Sequence, residues 1–130
     1  MPAPFAFSYA VVRVVLHVER EEFVNAGVLL FCDALDFLGA RIALDEARLR
    51  ALSPNVDAAI VRKHLDAIPR ICAGGPEGGP VGELPLRDRW HWLTAPRSTI
   101  LQTSAPHTGL CPRPDEELDR LLGLLVSSRR

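Results

Sequence analysis

The segment YAVVRVVLHV, residues 9–18, is rich in β-branched residues and alternates with a period of two. Its even positions are all apolar, whereas Arg13 and His17 fall at odd positions. Such alternation is typical of a β-strand with one face on a hydrophobic core, because successive side chains of a strand point to opposite faces. We therefore predict a strand here, with its even residues directed inward.

Two further segments show the same alternation. VNAGVLLFC, residues 24–32, and FLGARIAL, residues 37–44, also place apolar side chains at even positions, while Asn25 and Arg41 fall at odd positions. Short polar loops join the three segments, so they predict an antiparallel meander. The register should keep the apolar faces together, because a slip by one residue turns every side chain over.

The register predicted in this way pairs Val18 with Val24 in the first hairpin and Leu30 with Ala40 in the second. On the opposite, polar face it predicts three rows of neighbouring side chains: Arg13–Leu29–Arg41, Val15–Gly27–Ala43 and His17–Asn25–Asp45. Two arginines would then flank one leucine, beside a shallow strip over Gly27. This grouping depends on the register.

Helical patterns follow the third strand. A short helix is expected after Asp45, and a second is expected to begin at Ser53 and Pro54, because serine caps helices and proline is tolerated in the first turn. Pro69 should end or kink this second helix. Its predicted buried face consists of Val56, Ile60, His64, Ala67 and Ile68.

The last helix should start at Pro114, with acidic residues in its first turn and a stripe of leucines on its buried side. Between the second and the last helix, residues 73–88 are rich in glycine and proline and predict a long mobile loop. Only about 40 residues follow this loop, too few for a second core. We therefore predict a single domain over residues 1–130, of the α+β class, with a meander sheet of about four strands and helices packed on one face.

The composition excludes several classes of protein. With 130 residues, 48% hydrophobic content and 24% charged residues, the chain can form a core and is not disordered. A net charge of -1 disfavours nucleic-acid binding. Three widely spaced cysteines without a C-x-x-C motif fit a reducing cytosol, and neither a signal peptide nor a spanning apolar run is present in the sequence. We therefore expect a cytoplasmic protein without a membrane segment.

The segment WHWLTAPRSTILQTSAPHTGLC, residues 90–111, is the strongest candidate for a polar site. Residues 97–103 predict an edge strand bracketed by prolines, and HTG predicts a turn. Arg97 could clamp an anion with its planar guanidinium, and His107 could carry a proton. A plain edge strand followed by a polar loop is the alternative. The residues predicted to bind are Arg13, Asn25, Arg41, Arg97, Ser98, Thr99, His107 and Thr108.

The sequence predicts neither a metal site nor a cofactor. His107 and Cys111 are four residues apart in predicted loops, without the further ligands that a metal would need. A nucleophilic Cys111 assisted by His107 would lack a third orienting group. We therefore assign no catalytic residue, and whether the chain is an enzyme stays open.

Three segments together resemble a bacterial family known only as domain of unknown function 3037: YAVVRVV…EREEFVNAGVLLFC, LGARIALDEARLRAL and HWLTAPRSTILQTSAPHTGL. The likeness is most specific in FVNAGVLL and APRST. The family has no established activity, so the resemblance implies no catalytic residue. It does imply a partner, because genes of this family often lie beside genes for HipA-like serine/threonine kinases.

Two functions are therefore expected. The first is a small cytosolic interaction or regulatory protein, the partner of a HipA-like kinase in a toxin–antitoxin-like pair, with the polar sheet face and residues 97–109 as contact surface. The alternative is a ligand-binding protein or small enzyme acting on a phosphorylated or nucleotide-like molecule. In that case Arg13, Arg41, Arg97 and His107 would hold the anion.

Overall fold

The computed structural model of the chain describes residues 3–97 and 99–127. Five strands form one antiparallel sheet: β1 (Phe5–Val14), β2 (Val24–Cys32), β3 (Phe37–Ile42), β4 (Leu101–Thr103) and β5 (His107–Cys111). The strand order is β3-β2-β1-β4. Strand β5 pairs with β1 along the same edge as β4, opposite the first half of β1. The predicted α+β class and the predicted meander of the first three strands are confirmed.

Five helices accompany the sheet: α1 (Glu46–Leu52), α2 (Ala58–Ala73), α3 (Gly79–Gly82), α4 (Leu86–Thr94) and α5 (Pro114–Leu125). Pro114 begins α5 as predicted, and Leu118 and Leu121 are buried on its inner side. Within residues 3–97 and 99–127, no helix combines the length and the apolar character that crossing a membrane requires.

Helices cover both faces of the sheet rather than the single face that was predicted. On one side, Ala10, Val12 and Val14 of β1 pack in a cluster with buried residues of α1, α2 and α4. On the other side, Val28 and Leu30 of β2 pack in a second cluster with α5. We call these sides the α2 face and the α5 face. An apolar strand residue can therefore be directed to either face, so burial alone does not reveal its orientation.

The predicted register is wrong at both hairpins. β1 ends at Val14, so Val24 lies opposite Val14 rather than Val18, and a β-bulge farther along β2 then changes the alternation. Val14 lies opposite Val24 and Arg13 opposite Asn25, but Val12 lies opposite Gly27, so β2 contains one additional residue. A bulge of this kind reverses the alternation along the rest of its strand. Beyond it, the odd residues of β2 face the α2 cluster and the even residues face α5. The predicted register instead placed the even residues of all three strands on one face.

None of the three predicted rows is present as a consequence. Leu29 pairs with Ala40 and Leu30 with Gly39, one residue away from the predicted pairing. Arg13 lies opposite Asn25, whereas Arg41 lies opposite Val28. Gly27 lies between Val12 and Ile42 on the α2 face. The sequence pattern could not reveal this, because every residue of β2 except Asn25 is buried.

Helix α2 differs from its prediction in its start, its buried face and its end. Asp57, and not Ser53, is the N-cap, because its carboxylate accepts hydrogen bonds from the backbone N–H groups of Ala59 and Ile60. Its buried residues are Ala58, Val61, Leu65, Ile68, Ile71 and Cys72. Ile60 and His64, predicted to be inside, are exposed. The helix continues through Pro69 to Ala73, because a proline removes a single donor from the helical ladder and need not end it.

Residues 73–88 do not form the irregular loop that their composition predicts. They contain a 3₁₀ turn at Pro76–Gly78, helix α3 and the start of α4. Arg89 holds this segment against the end of α2, since its guanidinium donates to the carbonyl oxygens of Cys72 at 2.7 Å and Leu84 at 2.9 Å. These hydrogen bonds from Arg89 therefore stabilise a segment whose glycine and proline content predicts an irregular loop. The mobility of the segment stays a prediction.

Candidate functional site

Arg13 and Arg41 both lie on the α5 face, but each has its own partner. The guanidinium of Arg13 lies over the ring of Phe23, with Cζ 4.2 Å from the ring centroid. Arg41 donates from Nε to a carboxylate oxygen of Asp119 in α5 at 2.9 Å. The charge of Arg41 is therefore already balanced, and the predicted pair of arginines flanking one leucine does not exist.

Asn25 joins the sheet to the end of α5. Its amide nitrogen donates to the carbonyl oxygen of Leu125 at 3.1 Å. Its Oδ1 atom and the neighbouring Nε of Arg13 are buried and have no hydrogen-bond partner within the described part of the chain. Because the end of a helix leaves carbonyl groups without intrahelical partners, the bond from Asn25 has a structural role.

Arg97 lies on the opposite side of the sheet. Its Cζ atom is 4.4 Å from the centroid of the Trp92 ring, and its guanidinium also donates to the carbonyl oxygen of Trp92. We call Arg97 together with residues 99–103 the rim segment. Within it, Thr99 donates from its hydroxyl to the carbonyl oxygen of Leu101 at 2.8 Å, and Gln102 donates to the carbonyl oxygen of Thr99 at 3.1 Å. These hydrogen bonds within the rim segment stabilise its conformation.

His107 and Thr108 belong to strand β5, so the turn predicted for HTG is absent. Both residues are exposed, and the His107 ring lies 5.2 Å from the ring of Tyr9 on the neighbouring strand. The edge strand predicted over residues 97–103 is present only as the short β4. Ser98, also predicted to bind, lies outside the described residues.

The predicted binding residues therefore do not converge. Arg13, Asn25 and Arg41 lie on the α5 face, Arg97 and Thr99 border the α2 face, and His107 and Thr108 lie on an edge strand. Among the described residues, no three His, Cys, Asp or Glu side chains gather into a set that could hold a metal ion. A single centre that binds a polyanion through several of the predicted residues is not formed.

The three cysteines are all free and buried. Burial raises the pKa of the Cys72 thiol to about 12, although the nearby Arg89 acts in the opposite direction. Burial, followed by the nearby carboxylate of Glu117, also raises the pKa of the Cys111 thiol. A raised pKa keeps a thiol protonated and unreactive at neutral pH. Cys111 is therefore poorly suited to the nucleophilic role considered above.

The sequence patterns did not predict an apolar concavity on the α2 face. A cavity of about 300 Å³ lies between α2, α4, the rim segment and the sheet. Its walls include the apolar side chains of Val12, Leu29, Ala67, Ile68, Leu93 and Ile100, and Arg97 stands at its border. The walls come from segments distant in sequence, so no local pattern reveals them.

These features define an α+β protein with a five-stranded antiparallel sheet, helices on both faces and an apolar cavity bordered by one arginine. A family model described as "Protein of unknown function (DUF3037)" matches residues 9–126. The chain therefore belongs to the DUF3037 family, as the resemblance of its sequence segments implied. No curated protein and no solved structure gives a significant match.

Proposed function

We propose that the protein is a small interaction protein that binds and regulates a HipA-like serine/threonine kinase in a toxin–antitoxin-like pair. The observation that supports a protein partner is the outer edge of β5, a strand that pairs only with β1 in the described part of the chain. The kinase itself is suggested by the gene neighbourhood of the family. Of the predicted contact surface, the polar sheet face is covered by α5. Residues 97–109, which lead into β5, remain as the candidate contact surface.

The hydrogen-bonding pattern of β1 identifies the groups that β5 presents at this edge. The N–H of Val11 and the N–H of Val15 both point toward the edge strands, where they donate to Ser104 and Ile100. Odd residues of β1 therefore bond with β5, because the direction alternates along an antiparallel strand. Residues of β5 opposite even positions of β1, namely Thr108 and Leu110, direct their backbone N–H and C=O groups outward.

The same edge carries an apolar side chain in water. Leu110 is 69% exposed, and no lysine or proline lies within His107–Cys111, although Pro106 and Pro112 flank the strand and confine an added strand to these five residues. Folded proteins usually protect edge strands with such residues, because an open edge pairs readily with another chain. A partner can use this edge by adding a strand, with the backbone groups giving affinity and Leu110 an apolar contact. These properties favour a partner bound along β5.

Co-expression with the HipA-like kinase tests the proposal. We expect the wild-type protein to co-purify with the tagged kinase and to change its autophosphorylation. Leu110→Asp should abolish both effects, because a charge would replace the apolar contact. Leu124→Asp is a matched control, since Leu124 is 57% exposed but lies on α5. Failure of the wild-type protein to co-purify, or equal binding by both variants, would contradict the proposal.

Ligand binding is the second candidate function, and the cavity beside Arg97 is the observation that favours it. A phosphorylated or nucleotide-like ligand would normally be held by several cationic groups in one place. Arg13 and Arg41 are not beside this cavity, and Arg41 is paired with Asp119. A thermal-shift screen with nucleotides tests this candidate, because a ligand at 100 times its dissociation constant adds about 2.7 kcal/mol to the free energy of unfolding. A flat screen would eliminate it.

A further inference from the structure

The geometry points to a binding site for a small monocarboxylate of about eight carbons in total, in the cavity between α2, α4 and the rim segment. The alternative function expected from the sequence was the binding of a polar anion by several basic side chains. The cavity has the opposite character, with one cationic group beside a largely apolar space. The inference does not rest on the kinase partnership, because it uses none of the residues of β5.

The apolar body of the ligand is indicated by the walls. Val12 and Leu29 of the sheet lie at the base, and Ala67 and Ile68 of α2 face Leu93 of α4 across the space. Most polar side chains that border the cavity belong to the rim segment, while His64 contributes from α2. Ligand sites of this composition bind through apolar contact and use a few polar groups to orient the ligand.

The volume limits the size of the ligand. The cavity measures about 300 Å³, which lies at the lower end of the range for small-molecule sites. An apolar cavity of about 150 Å³ binds benzene, so a cavity of about twice that volume has room for about ten non-hydrogen atoms. A carboxylate contributes two oxygen atoms, so about eight carbons remain for the carboxyl carbon and the apolar body.

The charge of the ligand follows from Arg97. No Asp or Glu is among the described residues that line the cavity, so the guanidinium is not neutralised there. One of its N–H groups bonds the carbonyl oxygen of Trp92, and a guanidinium carries five N–H donors in total. Donors therefore remain for a carboxylate, which matches the planar fork of arginine. A single guanidinium fits a single negative charge better than a polyphosphate.

The binding groups are held in place before any ligand arrives. The ring of Trp92 supports the guanidinium from one side, and the bonds of Thr99 and Gln102 to backbone carbonyls hold the rim segment. Groups that are already ordered lose little conformational entropy on binding, so such a site can bind a small ligand efficiently. An imperfectly packed space without a ligand is the competing interpretation, and the following experiment separates the two.

Octanoate is the probe, because it has eight carbons and one carboxylate. Calorimetric titration and thermal shift of the full chain should both report binding. Octanamide, which has the same shape without the charge, should bind the wild-type protein about ten- to hundredfold more weakly, because it lacks the charge-assisted bonds to Arg97. Equal binding of the two probes, or no binding of octanoate, would overturn the inference.

Two pairs of variants locate the site. Arg97→Gln should weaken octanoate binding by a similar factor and leave octanamide unaffected, whereas Arg70→Ala, which removes an exposed arginine outside the cavity, should change neither. Ala67→Leu should narrow the cavity by three carbon atoms and weaken binding of both probes, whereas Ala59→Leu, at an exposed position of the same helix, should not. Octanoate binding that both Arg97→Gln and Ala67→Leu leave unchanged would contradict the assignment.

Discussion

The side-chain hydroxyl of Ser104 accepts a hydrogen bond from the backbone N–H of Val11 at 2.9 Å, and the backbone N–H of Ser104 donates to the carbonyl oxygen of Val11 at the same distance. Ser104 stands where the edge of the sheet is interrupted between β4 and β5. Val12 lies opposite Thr103 and Tyr9 opposite His107, so the edge segment contains one more residue than β1 across this interruption. The hydroxyl replaces the backbone carbonyl that an unbroken strand would offer.

Ser104→Ala should destabilise the protein by about 1–3 kcal/mol, because the buried N–H of Val11 would lose its acceptor. Chemical denaturation monitored by circular dichroism measures the change in the free energy of unfolding. Ser127→Ala, at an exposed position after α5, should change it by less than about 0.5 kcal/mol. Equal effects of the two substitutions would show that the hydroxyl of Ser104 does not support the sheet.

Asp57→Ala should lower the free energy of unfolding by about 1 kcal/mol, because the carboxylate of Asp57 caps α2. Ser53→Ala tests the cap expected from the sequence and should have the smaller effect. Urea denaturation of both variants provides the comparison. A larger loss for Ser53→Ala would place the helix start where the sequence predicted it, and not where the structure has it.

Gly27→Ala should destabilise the fold by about 1–3 kcal/mol. A Cβ atom at this position would lie 2.7 Å from the backbone oxygen of Arg41 and 2.7 Å from Cδ1 of Ile42, and the backbone oxygen cannot move away without disturbing β3. The amount of folded protein and its melting temperature would both fall.

Gly123→Ala is the matched control. Gly123 lies inside α5, and an added Cβ atom there would meet nothing within 4 Å. Alanine favours a helix over glycine by about 1 kcal/mol, so this variant should be more stable than the wild-type protein. The same sign for both glycine substitutions would contradict the close approach of β2 and β3 at the bulge.

Stability should fall in alkaline solution because of Cys72. The ordinary pKa of its thiol is 9.0, whereas burial raises it to about 12 in the folded protein. Between these pH values the unfolded chain loses the thiol proton and the folded chain keeps it. The free energy of unfolding should therefore decrease by up to about 1.4 kcal/mol per pH unit from this group.

Denaturation of wild type and Cys72→Ala at pH 8 to 11 measures this contribution as a difference in slope. The substitution lowers stability at every pH by removing buried volume, so the slopes and not the absolute values are compared. Identical slopes would mean that the Cys72 thiol ionises equally in both states. Ellman's reagent provides a second readout, since the buried thiols should react only after unfolding.

Local patterns predicted much of the fold because their causes are local. The alternation in residues 24–32 coincides with the bounds of β2, and the proline and acidic residues at 114–117 mark the start of α5. Asp45 caps α1 through its side chain, at the position where the sequence suggested a helix start. These features depend on residues within a few positions of one another.

The candidate site was predicted less well because its parts meet only in three dimensions. Arg97 was recognised as a binding residue, and it does border the cavity. Its predicted companions Arg13 and Arg41 were assigned through a register that differs from the observed pairing at both hairpins. The walls that do accompany Arg97, such as Ala67 on α2, depend on which side of that helix packs against the sheet.

The amino-acid sequence by itself determined the first three strands and the helices α1, α2 and α5, because hydrophobic periodicity, caps and prolines act over a few residues; it did not predict α3, α4 or β5. Only the tertiary structure decided the register of β2, the second covered face and the cavity. Because α5 covers the sheet face that was expected to be polar, an apolar side chain of β2 can be buried on either face of the sheet. The position of Arg97 beside an apolar space, and not beside other arginines, is the consequence for function.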